Sequence, residues 1–115
     1  MPEFDEKFSA QFRPESPVKG SKTGEPIMAL FDLIGRRWSM GILWNLAKQD
    51  RTFRDLQASC DSASPTVLNT RLKELRAVGL VEKTANGYSL TANGRELFEK
   101  LEPLGEWAKS WTKTL

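Results

Sequence analysis

The 115-residue sequence contains no histidine. That removes the side chain that most readily moves protons near neutral pH, and with it the commonest metal ligand. Acid–base work would then fall to Asp and Glu converging in a cleft, and no spacing in the chain gathers them. No Gly-rich phosphate loop and no metal-ligand cluster is present either. An enzyme is therefore not expected, nor is any cofactor or metal. The single cysteine, Cys60, cannot close an intramolecular disulfide, which fits a cytoplasmic setting. Long hydrophobic runs are also missing. The richest stretch, Ile27 to Leu46, is interrupted by Asp32, Arg36, Arg37 and Asn45, and falls short of the roughly 20 apolar residues a membrane span needs. The opening Met1-Pro2-Glu3-Phe4-Asp5-Glu6 has neither the basic start nor the apolar stretch of a secretory signal.

What is present describes an ordinary globular chain, 39% hydrophobic and 28% charged, of a size to bury one core. The net charge of +2 is unevenly spread. Residues 36–76 carry eight Lys/Arg against four Asp/Glu, while residues 1–35 are acidic on balance and 77–115 are neutral. A positive middle suits a surface that faces phosphates, although a mixed solvated surface would look the same by charge alone. Residues 1–25 are expected to form an N-terminal arm and linker, and residues 26–115 the folded domain. In the arm, Phe4, Phe8 and Phe12 align on one face of a short helix, which would need something to dock on. Pro14, Pro17, Gly20 and Gly24 punctuate the linker.

From Pro26 the periodicities predict a mainly α-helical fold with a small β-hairpin. Ile27, Leu30, Phe31 and Ile34 mark a first helix, stopped by Gly35. Trp38 to Lys48 is apolar nearly all round and should be the central core helix. Arg51-Thr52 is a short extended piece, followed by a helix from Phe53 to Ser59 with Phe53 and Leu56 facing inward. Cys60 to Ala63 is a turn. Ser64 and Pro65 start a helix over 64–78, with Ser64 as N-cap. Leu68, Leu72, Leu75 and Val78 stripe its buried side, and Gly79 ends it. Leu80 to Lys83 and Tyr88 to Leu90 are strands joined at Asn86-Gly87, a strong hairpin signal. Thr91 caps a last helix that runs nearly to the C-terminus.

Two short helices, a tight turn and a hairpin in that order form a winged helix-turn-helix. A recognition helix needs an apolar face to seat it and a polar face of small residues to enter the major groove. The 64–78 helix has both. Pro65, Thr66, Asn69, Thr70 and Lys73 are the candidate base contacts. Asn69 has the paired donor and acceptor that match adenine, the threonines suit hydroxyl-accepting or methyl-bearing base edges, and Lys73 reaches guanine or phosphate. Arg51, Arg54, Ser64, Arg71, Arg76 and Lys83 are the candidate phosphate contacts. The expected partner is double-stranded DNA with a roughly palindromic operator. A winged helix that binds protein without DNA is the alternative.

The segments Asp32-Leu33-Ile34-Gly35-Arg36-Arg37-Trp38, Arg51-Thr52-Phe53-Arg54-Asp55-Leu56, Leu68 to Leu75 and Gly79-Leu80-Val81 together resemble the HxlR-type regulators, relatives of the MarR group. Tyr88-Ser89-Leu90-Thr91 and Gly94-Arg95 extend the likeness, which covers about residues 26–111. The resemblance implies a homodimeric winged-helix transcription regulator, with base contacts on Pro65, Thr66, Asn69 and Thr70. Many members carry a cysteine just before the proline that opens the first helix, and some sense oxidants with it. Here that position is Glu25. Cys60, in the turn between the two helices, would have to substitute as a sensor, or else it simply fills space. Members also tend to have a longer, proline-containing wing, so minor-groove contact here is expected to be weaker.

Leu97, Leu101, Leu104, Ala108, Trp111 and Leu115 form a heptad-like seam on the last helix, expected to pair with a second copy in a homodimer formed through terminal helices. The other reading folds that helix back on its own domain. Pro103 should kink or break it. Trp38, Trp44, Trp107 and Trp111 either converge near the dimer base, lining a pocket for an aromatic small-molecule inducer, or pack the core.

Overall fold

The computed structural model describes residues 25–115. The N-terminal arm with its three phenylalanines lies outside the described residues. Helix α1 (Pro26–Ile34) opens on Pro26, and Glu25 holds the N-cap position without a side-chain cap bond. Gly35 follows it with φ −79°, so the chain leaves α1 by a right-handed turn and not by a left-handed glycine stop. Helix α2 (Ser39–Lys48) begins one residue later than its apolar pattern suggests. Trp38 sits before it at φ 75°, a left-handed conformation that a bulky residue adopts only when its surroundings enforce it. Ile42, Leu43 and Leu46 are buried, which makes α2 the centre of the core.

Helix α3 (Phe53–Ser59) is started by a capping box. Asp55 N–H donates to Thr52 Oγ1 at 3.1 Å and Thr52 N–H donates to Asp55 Oδ2 at 3.4 Å. Helix α4 (Pro65–Ala77) ends in a Schellman motif. Leu80 N–H donates to Leu75 O at 2.9 Å and Gly79 N–H to Arg76 O at 3.0 Å. Gly79 supplies the left-handed residue, at φ 75°, that this exit requires.

Strands β1 (Val81–Thr84) and β2 (Gly87–Leu90) pair antiparallel, with Val81 opposite Leu90 and Thr84 opposite Gly87. The turn is therefore Ala85–Asn86, one residue earlier than an Asn-Gly turn would place it. Gly87 belongs to the strand and is needed there for a different reason. Arg51 bridges Tyr88 as a third antiparallel partner, and a Cβ on Gly87 would collide with the Arg51 carbonyl. Helix α5 (Ala92–Thr112) is capped by Thr91, whose Oγ1 accepts from Gly94 N–H at 3.0 Å. It runs through Pro103 as one helix and is not broken there. Pro103 and Glu99, whose carbonyl loses its helical donor there, are both exposed, so water can replace the missing bond.

Five helices and one two-stranded hairpin thus make up the described residues, in the winged-helix order. The core gathers Leu33, Ile42, Leu46, Leu56, Leu72 and Val81 with their neighbours between α1, α2, α3, α4 and the hairpin. No described helix is long and apolar enough to cross a membrane.

Candidate nucleic-acid interface

The turn from α3 to α4 sets the angle at which α4 is presented. Asp61 and Ser62 are left-handed in succession, at φ 51° and 55°. The turn is held from inside by Gln57. Its carbonyl accepts from Ser62 N–H and its Nε2 donates to Ala63 O, both at 2.9 Å. Cys60 packs beneath, with its Sγ near Gly41 of α2. Burial pushes this thiol's pKa up, and the neighbouring Asp61 carboxylate adds to the effect. Burial and a raised pKa both disfavour the reactive thiolate, the opposite of what a thiol sensor requires.

Helix α4 divides cleanly. Leu68, Leu72 and Leu75 are at most 1% exposed. Pro65, Thr66, Asn69, Thr70 and Lys73 are all exposed, and together with Phe53 they line one open groove of about 620 Å³ between α3 and α4. The structure thus brings the five expected base contacts onto one surface. Phe53 was expected to face inward. It packs on the rim of the core but is only half-buried and forms a wall of this groove. Periodicity over a seven-residue helix cannot tell a buried position from a rim position, so no signal in the sequence marked it.

The Thr70 hydroxyl donates to Thr66 O at 2.9 Å, within the helix. It remains able to accept, and its methyl group remains available for contact. Ser64 holds the N-cap position, but its hydroxyl makes no cap bond. An exposed hydroxyl beside the unpaired first-turn N–H groups suits a phosphate oxygen.

The basic residues fall into two groups. Arg54, Lys73 and Lys83 are exposed, Lys83 lying 6.0 Å from the Tyr88 ring centroid on the wing. Arg51 and Arg71 are engaged within the protein. Arg51 Nε donates to Asn45 O at 3.4 Å. Arg71 Nε donates to Arg37 O at 2.9 Å, and its Nη1 pairs with Glu74 at 3.2 Å. Arg76 is half-buried near the end of α4. Glu74 also receives Arg36 at 2.6 Å, and Arg36 holds Asp32 at 3.0 Å. This chain of ion pairs ties the back of α4 to the α1–α2 corner.

Arg37, which sequence reasoning did not single out, is exposed with its guanidinium 4.9 Å from the Trp38 ring centroid. Both residues border a notch of about 320 Å³ beside Ser62 and Ser64, at the start of α4. The adjacent Arg36 and Arg37 were the available signal. Trp38 therefore lies beside the start of α4. Trp44 instead meets Phe98 edge-on at 5.0 Å and lies against Gly105. Trp107 stacks on Trp111, with centroids 5.5 Å apart and planes 9° from parallel. Within one chain the four tryptophans do not share one pocket, because Trp38, just before α2, and Trp44, within it, meet different neighbours.

On the opposite side the seam of α5 is graded. Leu97 packs on the core and Leu101 and Ala108 are half-buried, whereas Leu104 is 58% exposed and Trp111 47%. Trp107 and Leu115 are exposed as well, and so are Ile27, Met28 and Phe31 on α1.

Residues 33–115 match the family described as HxlR-like helix-turn-helix. The chain is 31% identical over 87 residues to YvaP of Bacillus subtilis, described as an uncharacterized HTH-type transcriptional regulator, covering 70% of this chain and 81% of that one. Among solved structures it is similar to quinone-bound YodB of B. subtilis, with TM-score 0.68 and 28% identity over 73% of this chain and 96% of YodB. It is also similar to a MarR-family transcriptional regulator from Enterococcus faecalis V583, with TM-score 0.70 over 86% of this chain and 96% of the other. At 23% identity that second likeness bears on the fold alone.

Proposed function

Because the chain belongs to the HxlR-like helix-turn-helix family, we propose that it is a cytoplasmic transcription regulator that binds double-stranded DNA sequence-specifically as a homodimer. The observation that carries this reading is the division of α4. Its leucines are sealed into the core, while Thr66, Asn69, Thr70 and Lys73 stand on one open groove of major-groove-reading chemistry. Asn69 pairs with adenine, and Lys73 meets guanine or phosphate. Arg54, Arg76, Lys83 and the Ser64 end of α4 hold the sugar–phosphate backbone on either side. Arg51 and Arg71 act from behind, by bracing the wing and α4.

The homodimer reading rests on the exposed apolar residues of α5 and α1. A twin α5 laid against Leu104, Trp107 and Trp111 removes large side chains from water, each worth about 1.5–3 kcal/mol when fully buried. Two α4 helices set about 34 Å apart then read successive major grooves of a roughly palindromic operator.

A small-molecule inducer finds support in the quinone complex of YodB, but this chain offers no exposed thiol for it. Glu25 stands before Pro26, and Cys60 is buried. The alternative, a winged helix that binds only protein, is separated by salt. Gel shifts on the intergenic DNA beside the gene should show affinity falling steeply between low and high salt, through counterion release. Binding that ignores salt, or no binding to any duplex, overturns the DNA reading.

A further inference from the structure

The groove in front of α4 is not uniformly polar. Pro65 and Thr66 open the helix, and Phe53 of α3 lines the same groove as its aromatic member. Asn69 and Thr70 come one turn later, and Lys73 one turn after that. Besides the polar groups of Asn69, Lys73 and the Thr66 hydroxyl, the groove offers a part-exposed phenyl ring, a pyrrolidine ring and the Thr66 γ-carbon. Thr70 leans the same way, since its hydroxyl hydrogen is taken by the Thr66 carbonyl at 2.9 Å and cannot be given to a base.

In the major groove one base edge alone is apolar, the C5-methyl group of thymine. Guanine and adenine present N7 and a polar exocyclic group there, and cytosine presents an amino group. An apolar pocket cannot satisfy those groups and leaves them without partners. Resting on the DNA-binding reading above, we infer that the apolar surface that Phe53, Pro65 and the Thr66 γ-carbon lend this groove receives a thymine methyl, which makes Phe53 a specificity-determining residue. Each half-site then carries a fixed thymine. The ring of Phe53 serves two purposes. Its inner edge seats α3 on the core, and its exposed edge reads the base.

The test begins with the full chain selecting duplexes from a randomised library. Each thymine fixed by that selection is then replaced, one at a time, by deoxyuridine, which removes the C5-methyl and nothing else. At least one such replacement per half-site is expected to weaken binding about fourfold, the value of one buried methyl-sized group. Two variants localise the effect. Thr66→Ser removes only the γ-methyl at a surface position, and Phe53→Leu keeps an apolar side chain on the core. Each is expected to shrink the thymine-over-uracil preference. If uracil is tolerated at every fixed position, or if the preference persists unchanged in both variants, the thymine pocket is overturned while the DNA-binding reading stands. If no duplex is selected at all, the DNA-binding reading falls and this inference falls with it.

Discussion

Helices α4 and α5 each carry a leucine stripe, and the protein treats the two stripes oppositely. The stripe of α4 is closed over chiefly by α2 and β1 until almost none of it meets water. The stripe of α5 packs on the core at Leu97, is half-covered at Leu101 and Ala108, and stands in solvent at Leu104 and Trp111. One amphipathic helix is thus completed by its own fold and shows its polar side. The other is left incomplete and shows its apolar side. Under the proposed function, the first would meet a charged, hydrated polymer and the second a surface like itself.

The contrast is sharpest under truncation. Leu72→Ala should cost about 2–5 kcal/mol in chemical denaturation, because it opens a cavity that the packed core cannot collapse. Leu104→Ala, on a residue already in water, should leave the stability of a dilute, unpaired chain nearly unchanged. Equal losses at the two sites would dissolve the distinction. The next largest effect belongs to pairing. A Leu104→Glu, Trp111→Glu double variant should be monomeric by light scattering. It should bind a two-half-site duplex about a hundredfold or more weakly, since the second half-site loses its linked partner. A persistent dimer would place the interface elsewhere.

The polar back of α4 gives a smaller effect. Glu74→Gln removes the carboxylate that receives both Arg36 and Arg71. It should cost about 1–2 kcal/mol of stability and lower operator affinity without changing the preferred sequence, because the loss is of positioning and not of a base contact. A changed base preference would instead put Glu74 in the reading surface. The smallest effect concerns Cys60. Its folded pKa lies above the ordinary 9.0, so the unfolded chain releases that proton first. Stability should therefore be unaffected below that value and decline as pH rises through it, with Cys60→Ala flattening the decline. The same burial predicts slow alkylation of the thiol in the folded protein. Rapid modification at neutral pH would reopen a sensing role.

The parts of this molecule that were legible in the sequence are those set by local pattern. The bounds of α3 and α4, the hairpin, the Thr91 cap and the separation of Leu68 and Leu72 from Asn69 and Thr70 all follow from spacing and from a few punctuating residues. What was not legible depends on contacts between distant segments. Four tryptophans invite a common pocket, but Trp38 is carried to the α3–α4 turn while Trp44 meets Phe98 and Gly105. Asn86-Gly87 signals a hairpin correctly. The turn nevertheless sits one residue earlier, and Gly87 is required against Arg51, a single bridging residue from far upstream. Pro103 breaks an average helix, but here the bond it removes lies on the wet side. Arg71 reads as a surface cation until Arg37 and Glu74 are brought up to it.

Thr91 does more than start α5. Besides accepting from Gly94, its hydroxyl donates to the carbonyl of Gly79, and its own N–H is held by Leu80 O at 3.1 Å. One side chain therefore pins the exit of α4 to the entrance of α5, with the hairpin closed between them. A joint so short and so fully bonded leaves little slack, and rotation of one helix is carried into the other. In a pair of chains the distance between the two reading heads would then be dictated by how the two α5 rods cross, much as the hinge angle of a pair of callipers dictates the gap between its tips.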